Sequence, residues 1–211
     1  MCGIVGGICK NNITPVLVDG LKRLEYRGYD SAGIVVLSDE NQLSRARSVG
    51  KVINLEKNIQ NKSTPVEGVI GIAHTRWATH GEPSTSNAHP HICNGSVGVV
   101  HNGIIENFLE LKSEQQTQGY HFTSDTDTEV IAHGIHKALQ NSNTLLEAVQ
   151  LAVQTFEGAY GLGVVSPKHP EHLIATRSGS PLVIGIGKQG HFIASDQMAL
   201  LDITKNFIFL E

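Results

Sequence analysis

The chain has 211 residues, 40% of them hydrophobic and 17% charged, with a formal net charge of -4; this suits one sizeable globular domain. No basic stripe offers a grip for nucleic acid or for an anionic membrane surface, so neither is expected as a partner. No apolar run approaches the roughly 20 residues of a membrane-spanning helix.

The opening MCGIVGGICKNN lacks the basic and long apolar regions of a secretion leader. The three cysteines, Cys2, Cys9 and Cys93, are too few and odd in number for a disulfide framework, so a cytoplasmic setting is expected.

In chain order, the first apolar run, Gly3–Ile8, predicts a strand. A helix follows with Thr14 as its cap, Pro15 in its first turn, and Leu17, Leu21 and Leu24 on one face. Gly33–Leu37 predicts a strand, Lys51–Gln60 a weaker helix, and Val69–His74 and Val97–His101 two more strands. Pro83, Pro90, Asn94 and Gly95 make Ser84–Gly95 the expected long loop. Thr126-Asp127-Thr128-Glu129 has the spacing of a capping box and starts a helix with Val130, Ile131, Ile135 and Leu139 as its stripe. Thr144–Phe156 predicts another helix, ended by Gly158. Strands close the chain at Tyr160–Val165, Leu173–Thr176, Leu182–Gly185, Phe192–Ser195 and Phe207–Leu210, and the glycine-rich Gly185–Gly190 reads as a hairpin turn.

Strands gather at both ends with helices between, so a doubly wound parallel sheet is not expected. The pattern predicts an α+β fold of two mainly antiparallel sheets with helices packed outside. The last residues, ITKNFIFLE, stop on a strand-like run, which suggests a piece of a longer protein.

Cys2 is the first chemical signal. A thiol attacks as thiolate and titrates near about 8.5, so it needs a base. If Met1 is trimmed, Cys2 carries an α-amine that titrates at roughly 7.7–8.0, and one residue then holds nucleophile and base. The bland reading is a small buried side chain in a first strand.

The start Met1-Cys2-Gly3-Ile4-Val5-Gly6 resembles that of class II glutamine amidotransferases, whose nucleophile is N-terminal. Three longer blocks match the same class: Glu25–Gly33 (EYRGYDSAG), His74–Gly81 (HTRWATHG) and His101–Asn107 (HNGIIEN). Thr126–Glu129 (TDTE) follows. The EYRGYDSAGI wording, with Thr176–Gly185 and Phe192–Asp196, is similar to the glutamine:fructose-6-phosphate amidotransferase family.

That resemblance implies a four-layer α/β/β/α sandwich and one glutaminase domain over 1–211. It implies sugar-isomerase domains beyond this chain, and a homodimer in the longer enzyme. It implies L-glutamine as substrate, with ammonia passed to fructose 6-phosphate to make glucosamine 6-phosphate. No cofactor is expected.

The resemblance also assigns residues. Asn102 and Gly103 supply an oxyanion hole, although Asn-Gly is equally a hairpin-turn signal. Arg76 receives the glutamine α-carboxylate, since a guanidinium matches a carboxylate with two prongs. Asp127 receives the α-ammonium; otherwise it merely complements a helix dipole. Thr79 and His80 add contacts from the same loop, Trp77 closes over glutamine, and Arg27 and Gly28 shape the wall beside Cys2. The eleven histidines fit no metal-ligand spacing. The competing readings are a non-catalytic glutamine sensor and a histidine-rich metal domain.

Overall fold

The computed structural model describes residues 2–78 and 81–210. Two sheets form, and all their strand pairs are antiparallel. The first contains β1 (Gly3–Cys9), β2 (Ser31–Leu37), β3 (Leu43–Val49), β4 (Ile70–Arg76), β9 (Val183–Ile186), β10 (Gly190–Ala194) and β11 (Phe207–Phe209), in the order β11-β9-β10-β1-β4-β2-β3. The second contains β5 (His91–Cys93), β6 (Val97–Ile105), β7 (Gly158–Val165) and β8 (Leu173–Ser178), in that order.

The alternation of strand side chains builds the layers. In β2, Ile34 and Val36 face one way and join an outer core with Leu17, Leu21 and Leu24 of α1 (Thr14–Leu24) and Leu55 of α2 (Val52–Asn61). Val35 and Leu37 face the other way and meet Val100 and Val165 of the second sheet. Behind that sheet, Val97, Val99, Leu162 and Val164 pack on Leu111 of α3 (Phe108–Thr117), Val130, Ile131 and Ile135 of α4 (Thr128–Leu139) and Val149 of α5 (Leu145–Val153). Three apolar interfaces thus hold four layers, α/β/β/α, as expected. Both faces of each sheet are covered, which explains why the central strands read as continuous apolar runs. Among the described residues, no helix is long and apolar enough to cross a membrane.

Among the described strands and α-helices, three escaped the sequence pattern. Strand β3 (LSRARSV) is polar because it lies at a sheet edge; β5 is three residues inside the expected loop; α3 (FLELKSEQQT) buries only Leu111 and Gln115.

Two caps differ from expectation. Thr14 is the first helical residue of α1, not its cap, and its hydroxyl donates to the Val66 carbonyl (2.6 Å). Thr126–Glu129 is not a capping box: α4 starts at Thr128, and the Glu129 carboxylate accepts from the Thr123 and Ser124 backbone N–H groups (2.9 and 2.8 Å). The box failed because Glu129 finds a tighter cage one turn upstream. Thr144 does cap α5, accepting from Glu147 N–H at 3.1 Å. Gly158 opens β7 several residues beyond the end of α5, and Gly187–Gln189 form the expected β9–β10 turn.

Candidate active site

Cys2 immediately precedes β1, whose first residue, Gly3, pairs with Thr75 of β4. That register lays Cys2 beside the end of β4. The Trp77 N–H donates to Cys2 Sγ (3.1 Å), and the Trp77 carbonyl lies 3.5 Å from the same sulfur. Burial raises the thiol pKa, with the Trp77 N–H and the Arg76 charge pulling the other way. The thiolate therefore needs a base. Cys9 bonds to the Asn11 carbonyl (2.9 Å), and burial pushes the Cys93 thiol up to about 12.

The second sheet brings β6 to the same point. Asn102 Nδ2 donates to the Cys2 carbonyl (3.2 Å), and its Oδ1 lies 3.0 Å from His74 Nε2 of β4. Asn102-Gly103 is not a hairpin turn. The pair lies inside β6, opposite Gly161 and Tyr160 of β7. Gly103 has φ +129°, and a Cβ there would sit 1.9 Å from the Ala159 carbonyl oxygen. The glycine is needed for close strand approach, which is why the turn signal misleads.

Arg76 is the last residue of β4 and is buried, so it is no solvated surface charge. Its Nη2 donates to the Gly81 carbonyl (2.9 Å) and its Nη1 lies 3.5 Å from Asp30 Oδ1. Asp30, a residue inside the EYRGYDSAG block that was given no role, also accepts from the Ala78 N–H. Asp127, buried at the N-terminal cap of α4, accepts from the Ile105 N–H (2.8 Å). Arg76 and Asp127 line one narrow niche of about 20 Å³ together with Cys2 and Gly103.

A wider pocket of about 420 Å³ also opens at Cys2, lined by Arg27, Trp77, Asn102, Gly103, Ile104, Ser180 and Pro181. Trp77 is half exposed. Its ring lies over Gly28, where a Cβ would come within 2.0 Å of it. Arg27 donates to Ser195 Oγ (3.2 Å) and pairs with Asp196 (3.8 Å), tying the 3-10 turn Glu25–Arg27 to the end of β10. Thr79 and His80 lie outside the described residues. A larger groove of about 700 Å³ lies at the far end of β1 beside Cys9, and none of the residues singled out for chemistry lines it.

Four histidines form a buried group between the sheets and α4. His74 stacks on His89 at 4.2 Å, and His89 meets His91 edge-on at 4.7 Å. Thr128 Oγ1 sits between His89 Nε2 (2.7 Å) and His101 Nδ1 (2.9 Å), and Thr126 Oγ1 lies 3.1 Å from His91 Nε2. Burial lowers the pKa of His74 to about 3 and carries those of His89 and His91 the same way. All four rings are held by hydroxyls, backbone and one another, and burial disfavours a charge on His74, His89 and His91. Among the described residues, no group of three or more His, Cys, Asp or Glu has a metal-holding arrangement.

Comparison with known proteins fits this geometry. A glutamine amidotransferase domain model matches residues 74–202. Over all 211 residues the chain is 56% identical to a glutamine--fructose-6-phosphate aminotransferase [isomerizing] of Pseudomonas aeruginosa, covering 34% of that relative. The like-named protein of Haemophilus influenzae is 55% identical over the same span, again with 34% of its length covered. The chain thus spans about a third of the length of these curated relatives. Among solved structures, glutamine phosphoribosylpyrophosphate amidotransferase from B. subtilis superposes with a TM-score of 0.80 at 27% identity, over 99% of this chain and 44% of that one.

Proposed function

This chain belongs to the class II glutamine amidotransferases, and on that premise we propose that it hydrolyses L-glutamine to glutamate and ammonia with Cys2 as nucleophile. The observation that carries the reading is the convergence of Cys2 Sγ, the Trp77 N–H and the Asn102 side-chain amide at the meeting of the two sheets.

The steps follow from the groups present. With Met1 removed, the α-amine of Cys2 takes the thiol proton, which offsets the cost of burying a thiolate. The sulfur attacks the side-chain carbonyl carbon of glutamine. Negative charge gathers on its oxygen, where Asn102 Nδ2 and the Gly103 N–H are the donors. The protonated amine gives its proton to the departing nitrogen and ammonia leaves. Water then cleaves the thioester, releasing glutamate and restoring the thiol. Arg76 and Asp127 read the α-carboxylate and the α-ammonium, and Thr79 and His80 complete the head-group contacts. Trp77 closes over the substrate, with Arg27 and Gly28 forming the wall behind it. The 20 Å³ niche between Arg76 and Asp127 holds about one water, so the head group enters only as Arg76 exchanges the Gly81 carbonyl for the carboxylate.

In the longer protein, further domains use the ammonia to convert fructose 6-phosphate into glucosamine 6-phosphate, and two copies associate. The names and lengths of the relatives support this step. The free thiols of Cys2, Cys9 and Cys93 support a cytoplasmic setting.

The test is glutamate release by the unchanged chain and by Cys2→Ala, together with intact mass. Activity lost in Cys2→Ala and a mass lacking Met1 support the reading. Undiminished hydrolysis by Cys2→Ala removes Cys2 as nucleophile. Glutamine binding without any hydrolysis by the unchanged chain favours a sensor.

A further inference from the structure

An asparagine amide has nearly the same shape after a half-turn, yet one end donates and the other accepts. An oxyanion hole works only if Asn102 presents its NH2 toward the reacting carbonyl; the reversed amide would set oxygen against oxygen. Something must fix the orientation. In this structure His74 Nε2 lies 2.9 Å from the His101 carbonyl oxygen and 3.0 Å from Asn102 Oδ1. A backbone carbonyl only accepts, so Nε2 carries the proton. A proton on Nε2 admits only the oxygen end of Asn102, and Nδ2 is left facing Cys2.

The surroundings hold His74 to that task. His74 is buried, stacked on His89, and its Nδ1 has no hydrogen-bond partner among the described residues. The neutral ring therefore keeps its single proton on Nε2, and burial keeps the ring neutral throughout the working pH range. In the resting state the Cys2 carbonyl also faces Nδ2, at 3.2 Å. That second restraint is given up when Nδ2 turns to the developing oxyanion. His74 is then the contact that keeps the amide from reversing.

We propose that His74 is a positioning residue that fixes the Asn102 amide, donor end toward Cys2, during attack on the substrate. The proposal rests on the reading of Asn102 as an oxyanion donor, and the test separates the two. His74→Gln keeps an N–H near the Nε2 position, whereas His74→Met has similar length and no donor. Loss of one oxyanion donor costs about 10²–10³ in rate, so His74→Met is expected to lower kcat by about 10–100-fold, with KM for glutamine within about twofold. His74→Gln is expected to recover kcat to within about threefold of the unchanged chain, because the donor is restored. In the Asn102→Ala background, His74→Met should cost nothing further.

Thermal melting checks that each variant is folded. Folded Met and Gln variants with equal losses, or a folded Met variant with full kcat, would overturn the proposal. If the Met variant does not fold, the Gln variant decides: folded and active supports the donor role, and folded with kcat down more than about tenfold refutes it. Full activity in Asn102→Ala would instead refute the oxyanion reading on which this rests.

Discussion

Asp30 and Arg76 are joined twice: Oδ1 lies 3.5 Å from the guanidinium Nη1, and the Asp30 N–H donates to the Arg76 carbonyl at 2.7 Å. The second carboxylate oxygen holds the Ala78 N–H. One acid thus fixes both the guanidinium and the chain that leads away from it.

Asp30→Asn keeps the shape and removes the charge. A hydrogen bond to a charged group contributes about 1.5–3 kcal/mol, and roughly 1.4 kcal/mol is tenfold in an equilibrium. The expected result is a rise of about tenfold or more in the glutamine KM with a smaller change in kcat. Steady-state glutaminase kinetics check it; a lower kcat at unchanged KM would mean that Asp30 serves Cys2 rather than Arg76.

Gly28 adopts φ +83° and ψ 149°, beneath the Trp77 ring. Gly28→Ala brings backbone strain of about 1–3 kcal/mol and drives a methyl into the indole. Trp77 is the chain's one tryptophan, so its emission reports the displacement directly. A shifted spectrum with weakened glutamine binding is expected. An unchanged spectrum would show that the backbone, not the ring, gives way.

The sequence revealed the core and the site unequally. Strands buried on both faces were legible where their positions are apolar or small, as throughout β2 and over Ile70–Ala73 of β4. Strand β3 was not, because an edge strand with Arg45 and Arg47 carries no period-2 apolar signal. At the candidate site, Cys2 was visible from its own chemistry, whereas Arg76 and Asn102 were picked out only by the resemblance of the blocks that hold them. Asp30 and His74 were not visible, since their roles exist only once β4 lies beside β2 and β6. Thr126-Asp127-Thr128-Glu129 shows the same limit: the spacing implied a local cap, while the fold spends Glu129 on Thr123 and Ser124 and Thr128 on two histidines.

That use of Glu129 has a measurable consequence. Its buried carboxylate accepts from the Thr123 N–H, the Ser124 N–H and the Ser124 hydroxyl (2.9, 2.8 and 2.6 Å), which fixes the chain entering Asp127. Glu129→Ala strips the partner from two buried donors, the N–H and hydroxyl of Ser124, while the Thr123 N–H belongs to an exposed residue that water reaches. At about 1–3 kcal/mol for each buried donor, a loss of several kcal/mol is expected in urea unfolding. A loss below about 1 kcal/mol would show that water replaces the carboxylate.

Acid should act through the histidine group. Unfolded, each ring takes a proton near the ordinary 6.5; folded, burial holds His74 to about 3, with His89 and His91 lowered in the same direction. The unfolded chain therefore binds more protons as pH falls, and stability drops with it. For His74 the penalty is absent above pH 6.5, grows through the interval, and saturates near its folded pKa of about 3. Each such ring contributes at most about 1.4 kcal/mol per pH unit. Urea midpoints measured from pH 7.5 to 4.5 should stay level to about pH 6.5 and fall below it, and His91→Asn should reduce the slope of the fall by about one proton. A slope unaltered by His91→Asn would mean that His91 binds its proton as readily in the folded chain as in the unfolded one.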